Sequence, residues 1–104
     1  MTEQPNNDRV YSIEELRDIV APFAKERGFR WARLFGSYAR GDADGRSDID
    51  VLVDRGDARA LSVCGLANHV CRRTGKQADV FDIAEVDPGP FRDAIMREAV
   101  ILWA

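Results

Sequence analysis

The chain's hydrophobic patterning predicts an α/β domain of the mixed, α+β kind, and three observations carry that expectation. Apolar residues recur at helical spacing across residues 12–28 and again across 58–74. Short runs rich in β-branched and aromatic residues, bounded by turn chemistry, lie between and after them. From Asp48 to Asp54 apolar and acidic residues alternate, the period of a strand buried on one face. With 104 residues the chain has room for one hydrophobic core. The expected organisation is a loose tail over residues 1–11 and a single domain over 12–104.

The opening residues are polar, carry Pro5-Asn6-Asn7-Asp8 and show no periodicity, as a loose tail would. Ser12 followed by Glu15 is a capping box, and Ile13, Leu16, Ile19, Val20, Phe23 and Ala24 then form the apolar stripe of a helix ending near Gly28. Pro22 removes one backbone donor, so a kink or break is expected there. Phe29 to Phe35 reads as a strand running into a turn at Gly36-Ser37, and Asp42-Ala43-Asp44-Gly45-Arg46 is loop chemistry. The alternating strand then places Ile49, Val51 and Val53 on one face and Asp48, Asp50 and Leu52 on the other.

Leu61, Val63, Cys64, Leu66, Ala67, Val70 and Cys71 supply the expected buried side of the second helix, Gly75 its C-terminal cap, and Arg72 and Arg73 suit the negative end of its dipole. Ala78 to Ile83 reads as a third strand, Asp87-Pro88-Gly89-Pro90 as a turn, and Phe91 to Ala99 as a third helix before the apolar end Val100-Ile101-Leu102-Trp103. His69 is expected on a helix surface. Cys64 and Cys71 stand two helical turns apart, about 10 Å, too far for a disulfide, and read as reduced, half-buried residues.

Fifteen basic residues against 18 acidic ones leave a formal charge of -3, so no global field draws in nucleic acid or an anionic membrane. No segment approaches the ~20 apolar residues that cross a bilayer, and no signal peptide is evident, so the expected compartment is the cytoplasm.

Residues able to carry chemistry concentrate in two segments. Gly36 lets backbone approach a phosphate closely, Ser37 adds a hydroxyl, and Arg40, one turn on, offers a charge-assisted contact to phosphate. Ten residues separate Ser37 from Asp48. Asp48 and Asp50, at i and i+2 of a strand, point to the same side about 6.5 Å apart at the backbone, within reach of a shared pair of Mg²⁺ ions, which prefer hard oxygen ligands. Such a pair neutralises a triphosphate and aligns an attacking hydroxyl. A third carboxylate is expected from a neighbouring strand. Asp79 and Asp82 lie on opposite faces of theirs, so one alone can join the site; Asp79 is preferred, with Asp82 a surface residue at the strand end.

Leu34-Phe35-Gly36-Ser37-Tyr38-Ala39-Arg40-Gly41, Ser47-Asp48-Ile49-Asp50 and Ala78-Asp79-Val80 together resemble the minimal nucleotidyltransferases of the DNA polymerase beta superfamily, from about Ile13 to Trp103. The resemblance implies a polymerase-beta-like nucleotidyltransferase core, a short mixed sheet backed by helices with an open active-site face. It gives Gly36 and Ser37 to the triphosphate, Asp48 and Asp50 to both Mg²⁺ ions, and Asp79 to the metal that activates the acceptor. Arg40 occupies a frequently basic position.

Small members of this family are similar to the antitoxin half of two-component systems, paired with a HEPN ribonuclease toxin, and some transfer AMP from ATP to a tyrosine hydroxyl of that toxin. The implied activity is therefore a Mg²⁺-dependent protein adenylyltransferase that silences a HEPN partner, the acceptor being supplied from outside so small a chain. Two alternatives stand beside it: a non-catalytic antitoxin that blocks by contact, and a nucleotidyltransferase acting on a small molecule or RNA.

Overall fold

The computed structural model describes residues 8–104. Strands β1 (Trp31–Phe35), β2 (Ile49–Asp54), β3 (Ala78–Asp82) and β4 (Val100–Trp103) form one sheet in the order β3-β2-β1-β4. β1 runs antiparallel to both β2 and β4, whereas β2 and β3 are parallel, so the sheet is mixed as expected. A parallel pair needs a crossover, and helix α3 (Leu61–Thr74) supplies it. Helix α1 (Ile13–Arg27) precedes β1, the single turn α2 (Ser37–Arg40) follows it, and α4 (Pro90–Glu98) leads into β4.

The period-two pattern of β2 decides how the layers assemble. Ile49, Val51 and Val53 are fully buried in one cluster with Leu16, Ile19, Val20 and Ala24 of α1 and Leu66 and Val70 of α3. Each such aliphatic side chain contributes about 1.5–3 kcal/mol by leaving water. On the opposite face Leu52 is equally buried, but against Ile83 and Ile95 with Trp31, Phe35, Val86 and Met96 around them. The acidic face of β2 is thus covered at one end by α4 and open at the other, where Asp48 and Asp50 stand.

Several local expectations are corrected. α1 is closed by the capping box and runs unbroken through Pro22, which lies on its exposed side. There the carbonyl that loses its partner can be satisfied by water. β1 starts at Trp31, because Phe29 is buried just beyond the left-handed cap at Gly28. In α3 the buried residues are Ser62, Leu66, Val70 and Thr74; Leu61 is 77% exposed and Cys64 is also exposed, so the stripe is rotated from the one expected. His69 is no free surface residue: its ring stacks on Phe23 at 5.2 Å, and Nε2 donates to the Ile19 carbonyl at 3.1 Å, tying α3 to α1.

The expected tail falls partly outside the described residues, which begin at Asp8. Residues 9–11 are anchored, since Tyr11 packs on the core and donates its hydroxyl to the Thr74 carbonyl at 2.9 Å, while Arg9 lies over the Tyr11 ring and pairs with Glu15. Asp82 is also corrected. It is 9% exposed, accepts from Arg55 Nε at 2.8 Å and caps the 3₁₀ turn Ile83–Glu85 through the Ala84 N–H at 3.1 Å. Its job is structural, and it points with Val53, its register partner, away from Asp50.

Asp82→Ala removes a charge-assisted acceptor and strands Arg55, so it should destabilise the fold by about 2 kcal/mol. Thermal melts of the variant read this directly; a midpoint equal to that of the native chain would show that the pair carries no net stability.

Candidate active site

The sheet register gathers the acidic residues. Phe35 pairs with Asp50 across β1 and β2, and Asp50 pairs with Asp79 across the parallel β2 and β3. Side chains at paired positions share a face, so Asp50 and Asp79 project together, with Asp48 two residues earlier on the same side. Asp48 is exposed, whereas Asp50 and Asp79 are half-buried.

Gly36 joins this group through its missing side chain. It ends β1 at φ 76°, ψ −154°, and a Cβ placed there would lie 2.5 Å from Asp50 Oδ2. Both the left-handed backbone and the close carboxylate demand glycine. Immediately after it the chain turns into α2, fixed by Arg40 N–H to Gly36 O and Gly41 N–H to Ser37 O at 3.0 Å each, with Tyr38 buried beneath. Ser37 therefore opens the turn, directly after the glycine that abuts Asp50.

Arg40 is the cation of the site. Its guanidinium reaches Asp42 Oδ2 at 3.5 Å and Glu98 Oε1 at 3.4 Å, and its charge is felt at Asp50. The same Glu98 oxygen accepts the Gly36 N–H at 3.1 Å. The sequence motifs give no hint of Glu98. It sits at the end of α4, and its one local oddity is a carboxylate in the last helical turn, where the dipole disfavours negative charge.

Burial, then the neighbouring Asp79 and Asp48 carboxylates, push Asp50 up from the usual 3.8 to about 6, with Arg40 acting in the opposite sense. Hard oxygen donors under mutual repulsion are what a divalent cation relieves, so the donor set fits Mg²⁺. As arranged here, no three acidic, His or Cys side chains among the described residues are gathered tightly enough to hold an ion. The backbone register supplies the common face, and Asp48 on it is exposed.

Beside Asp50 opens a cavity of about 190 Å³ lined by Phe35, Leu52, Phe81, Val86, Phe91 and Ile95. Its walls are apolar except for the Asp50 carboxylate, and its outer rim is made by Phe81, 46% exposed, and Phe91, 72% exposed. The two cysteines lie apart from this site on α3.

Comparison with known proteins identifies the family and the fold. The family model described as "Polymerase beta, Nucleotidyltransferase" matches residues 17–104. A Methanocaldococcus jannaschii protein, named provisionally as a protein adenylyltransferase, is 33% identical over 90 residues, 86% of this chain and 96% of its own length. Among solved structures, one described provisionally as a minimal nucleotidyltransferase superposes with a TM-score of 0.73 at 29% identity, covering 86% of this chain and 95% of that one. A toxin–antitoxin complex with AMP-PNP shares the fold, at a TM-score of 0.65 and 19% identity over 84% of this chain and 72% of that one.

The raised Asp50 pKa fixes a sign. A carboxyl whose folded value lies above its unfolded one favours the protonated fold, so its stabilising contribution is full below about pH 4 and lost as the pH rises through about 6. A two-unit rise is worth about 3 kcal/mol in full, which solvent screening at this half-open position reduces to about 1 kcal/mol. Asp50→Asn should remove that loss. In EDTA its melting temperature should exceed that of the native chain at pH 7 and converge with it near pH 4; parallel curves would contradict the coupling.

Proposed function

Because the chain belongs to the polymerase beta nucleotidyltransferase family, we propose that it transfers AMP from ATP to a hydroxyl of a protein partner, a toxin of the HEPN ribonuclease class, and thereby acts as its antitoxin. The observation that carries this reading is the register pairing of Asp50 with Asp79 beside Gly36, which brings the Gly36-Ser37 turn and the acidic group to one end of neighbouring strands. The protein adenylyltransferase name of the archaeal relative supports the group transferred, and the toxin–antitoxin complex that shares the fold supports the kind of partner.

In this reading Gly36 and Ser37 hold the triphosphate, with Arg40 adding charge. Asp48, Asp50 and Asp79 would hold two Mg²⁺ ions; when bound, these neutralise the triphosphate and make the acceptor hydroxyl more acidic. The acceptor O–H gives its proton to the Asp79 carboxylate, its oxygen forms a bond to the α-phosphorus, and the bond from that phosphorus to the bridging oxygen breaks. Pyrophosphate leaves with the electron pair. Covering of Leu52 and Phe35 by α4 keeps one side of the reacting group dry.

A tyrosine acceptor is supported by the cavity beside Asp50. At about 190 Å³ it exceeds the roughly 150 Å³ that accommodates benzene in an engineered apolar cavity, so one aromatic ring fits. A phenol has one polar tip, and the cavity one polar wall group, the carboxylate next to which an acceptor oxygen must react. No helix of the described residues is long and apolar enough to span a membrane, and the reaction is assigned to the cytoplasm, where ATP is plentiful.

Incubation of the purified chain with a HEPN protein encoded beside it, Mg²⁺ and each labelled nucleoside triphosphate tests the whole proposal, read by intact mass of the partner. Asp48→Asn, Asp50→Asn and Asp79→Asn should each reduce AMP transfer at least about 100-fold, the scale on which positioned acid–base and metal-binding groups act. Asp82→Asn should change it far less. Unchanged transfer by Asp50→Asn would overturn the site, and full rescue from the toxin by an Asp48→Asn, Asp50→Asn double variant would establish blocking by contact alone.

A further inference from the structure

Glu98 occupies the donors that the phosphate reading needs. One oxygen, Oε1, accepts both the Gly36 N–H at 3.1 Å and the Arg40 guanidinium at 3.4 Å. Its position is set where α4 hands over to β4. Leu34 pairs with Val100 at the end of the β1–β4 ladder, and Glu98, the last residue of α4, lies just before β4 as Gly36 lies just after β1. The carboxylate stands at the negative end of α4, where the helix dipole disfavours it. A neutral glutamine would accept the Gly36 N–H as well; the charge matters only to Arg40.

We propose that Glu98 is an internal anion filling the phosphate seat of the free chain, and that a phosphate-bearing ligand displaces it. This rests on the phosphate reading of Gly36 and Arg40 given above. One N–H and one guanidinium edge cannot serve Glu98 and a phosphate oxygen together at full strength, so the seat opens only to ligands that bring anionic oxygens. Glu98 is then a residue that decides which ligands are admitted: nucleosides gain nothing by displacing it, while triphosphates and pyrophosphate do.

Glu98→Gln keeps an acceptor for Gly36 and releases the Arg40 edge that Glu98 holds, leaving the contact with Asp42 at 3.5 Å in place. If Glu98 holds the seat nine-tenths of the time, apparent affinity for Mg²⁺-ATP and for pyrophosphate should rise about tenfold in this variant by calorimetry, because affinity scales with the competent fraction. Adenosine binding should not move. In an Arg40→Gln background the gain should shrink to less than about twofold. On the native ¹⁵N-labelled chain, pyrophosphate should shift the Gly36 amide resonance as its acceptor changes, a readout that needs no variant.

Unchanged or weaker ATP affinity in Glu98→Gln would overturn the proposal, as would an equal gain for adenosine or a Gly36 resonance that ignores pyrophosphate. Those results leave the transfer reading intact if the native chain still modifies its partner. Failure of both the native chain and Glu98→Gln to bind ATP or pyrophosphate would overturn the phosphate reading together with this one.

Discussion

Burial of Ile49, Val51 and Val53 against α1 and α3 fixes which way the next residues of β2 face, and most of what the molecule can do follows from that pleat. A strand repeats every two residues, so a slip of one position would expose three fully buried side chains and bury the carboxylates among aliphatic groups. Neither change is tolerable in a domain this small. Hydrophobic burial thus locks an electrostatic arrangement that is unfavourable by itself.

The unfavourable part is concentrated at Asp50. It faces Asp79 across the parallel pair, has Asp48 nearby and lies so close to Gly36 that no side chain fits between them. The fold holds this group with Arg40 as its nearby cation and the Gly-Ser turn as its edge. What contends for the same cation in the free chain is carboxylate again, Asp42 and Glu98, so the turn and the acidic group are linked through a single guanidinium.

Two helices treat the carboxylate-bearing face of the sheet differently. α4 seals Leu52 and Phe35 but stops short of Asp50, leaving the apolar slot between Phe81 and Phe91. α3 lies on the other face, crosses from β2 to β3 and thereby makes these two strands parallel, which is why a β3 residue stands level with Asp50. Arg55 and Asp82 close the far end of that crossover with a partly buried ion pair. Asp79 and Asp82, chemically alike and three residues apart, end with unrelated duties because they lie on opposite faces of one strand.

Residue order by itself determined the helix and strand types, the capping box at Ser12, the Gly36-Ser37 turn, the shared face of Asp48 and Asp50 and the opposite faces of Asp79 and Asp82, because all of these depend on spacing within a segment. Only the tertiary structure decided that Asp82 is a buried structural partner of Arg55, that His69 bridges two helices, that α3 is rotated to leave Leu61 exposed and that Tyr11 anchors the chain before α1. Glu98 belongs with these. Its contact with Gly36 and Arg40 joins residues about sixty positions apart, brought together because β4, which follows α4, pairs with β1. Periodicity records which face a residue occupies within its own element, while the identity of what covers that face is set by strand order and crossover, which no local pattern encodes.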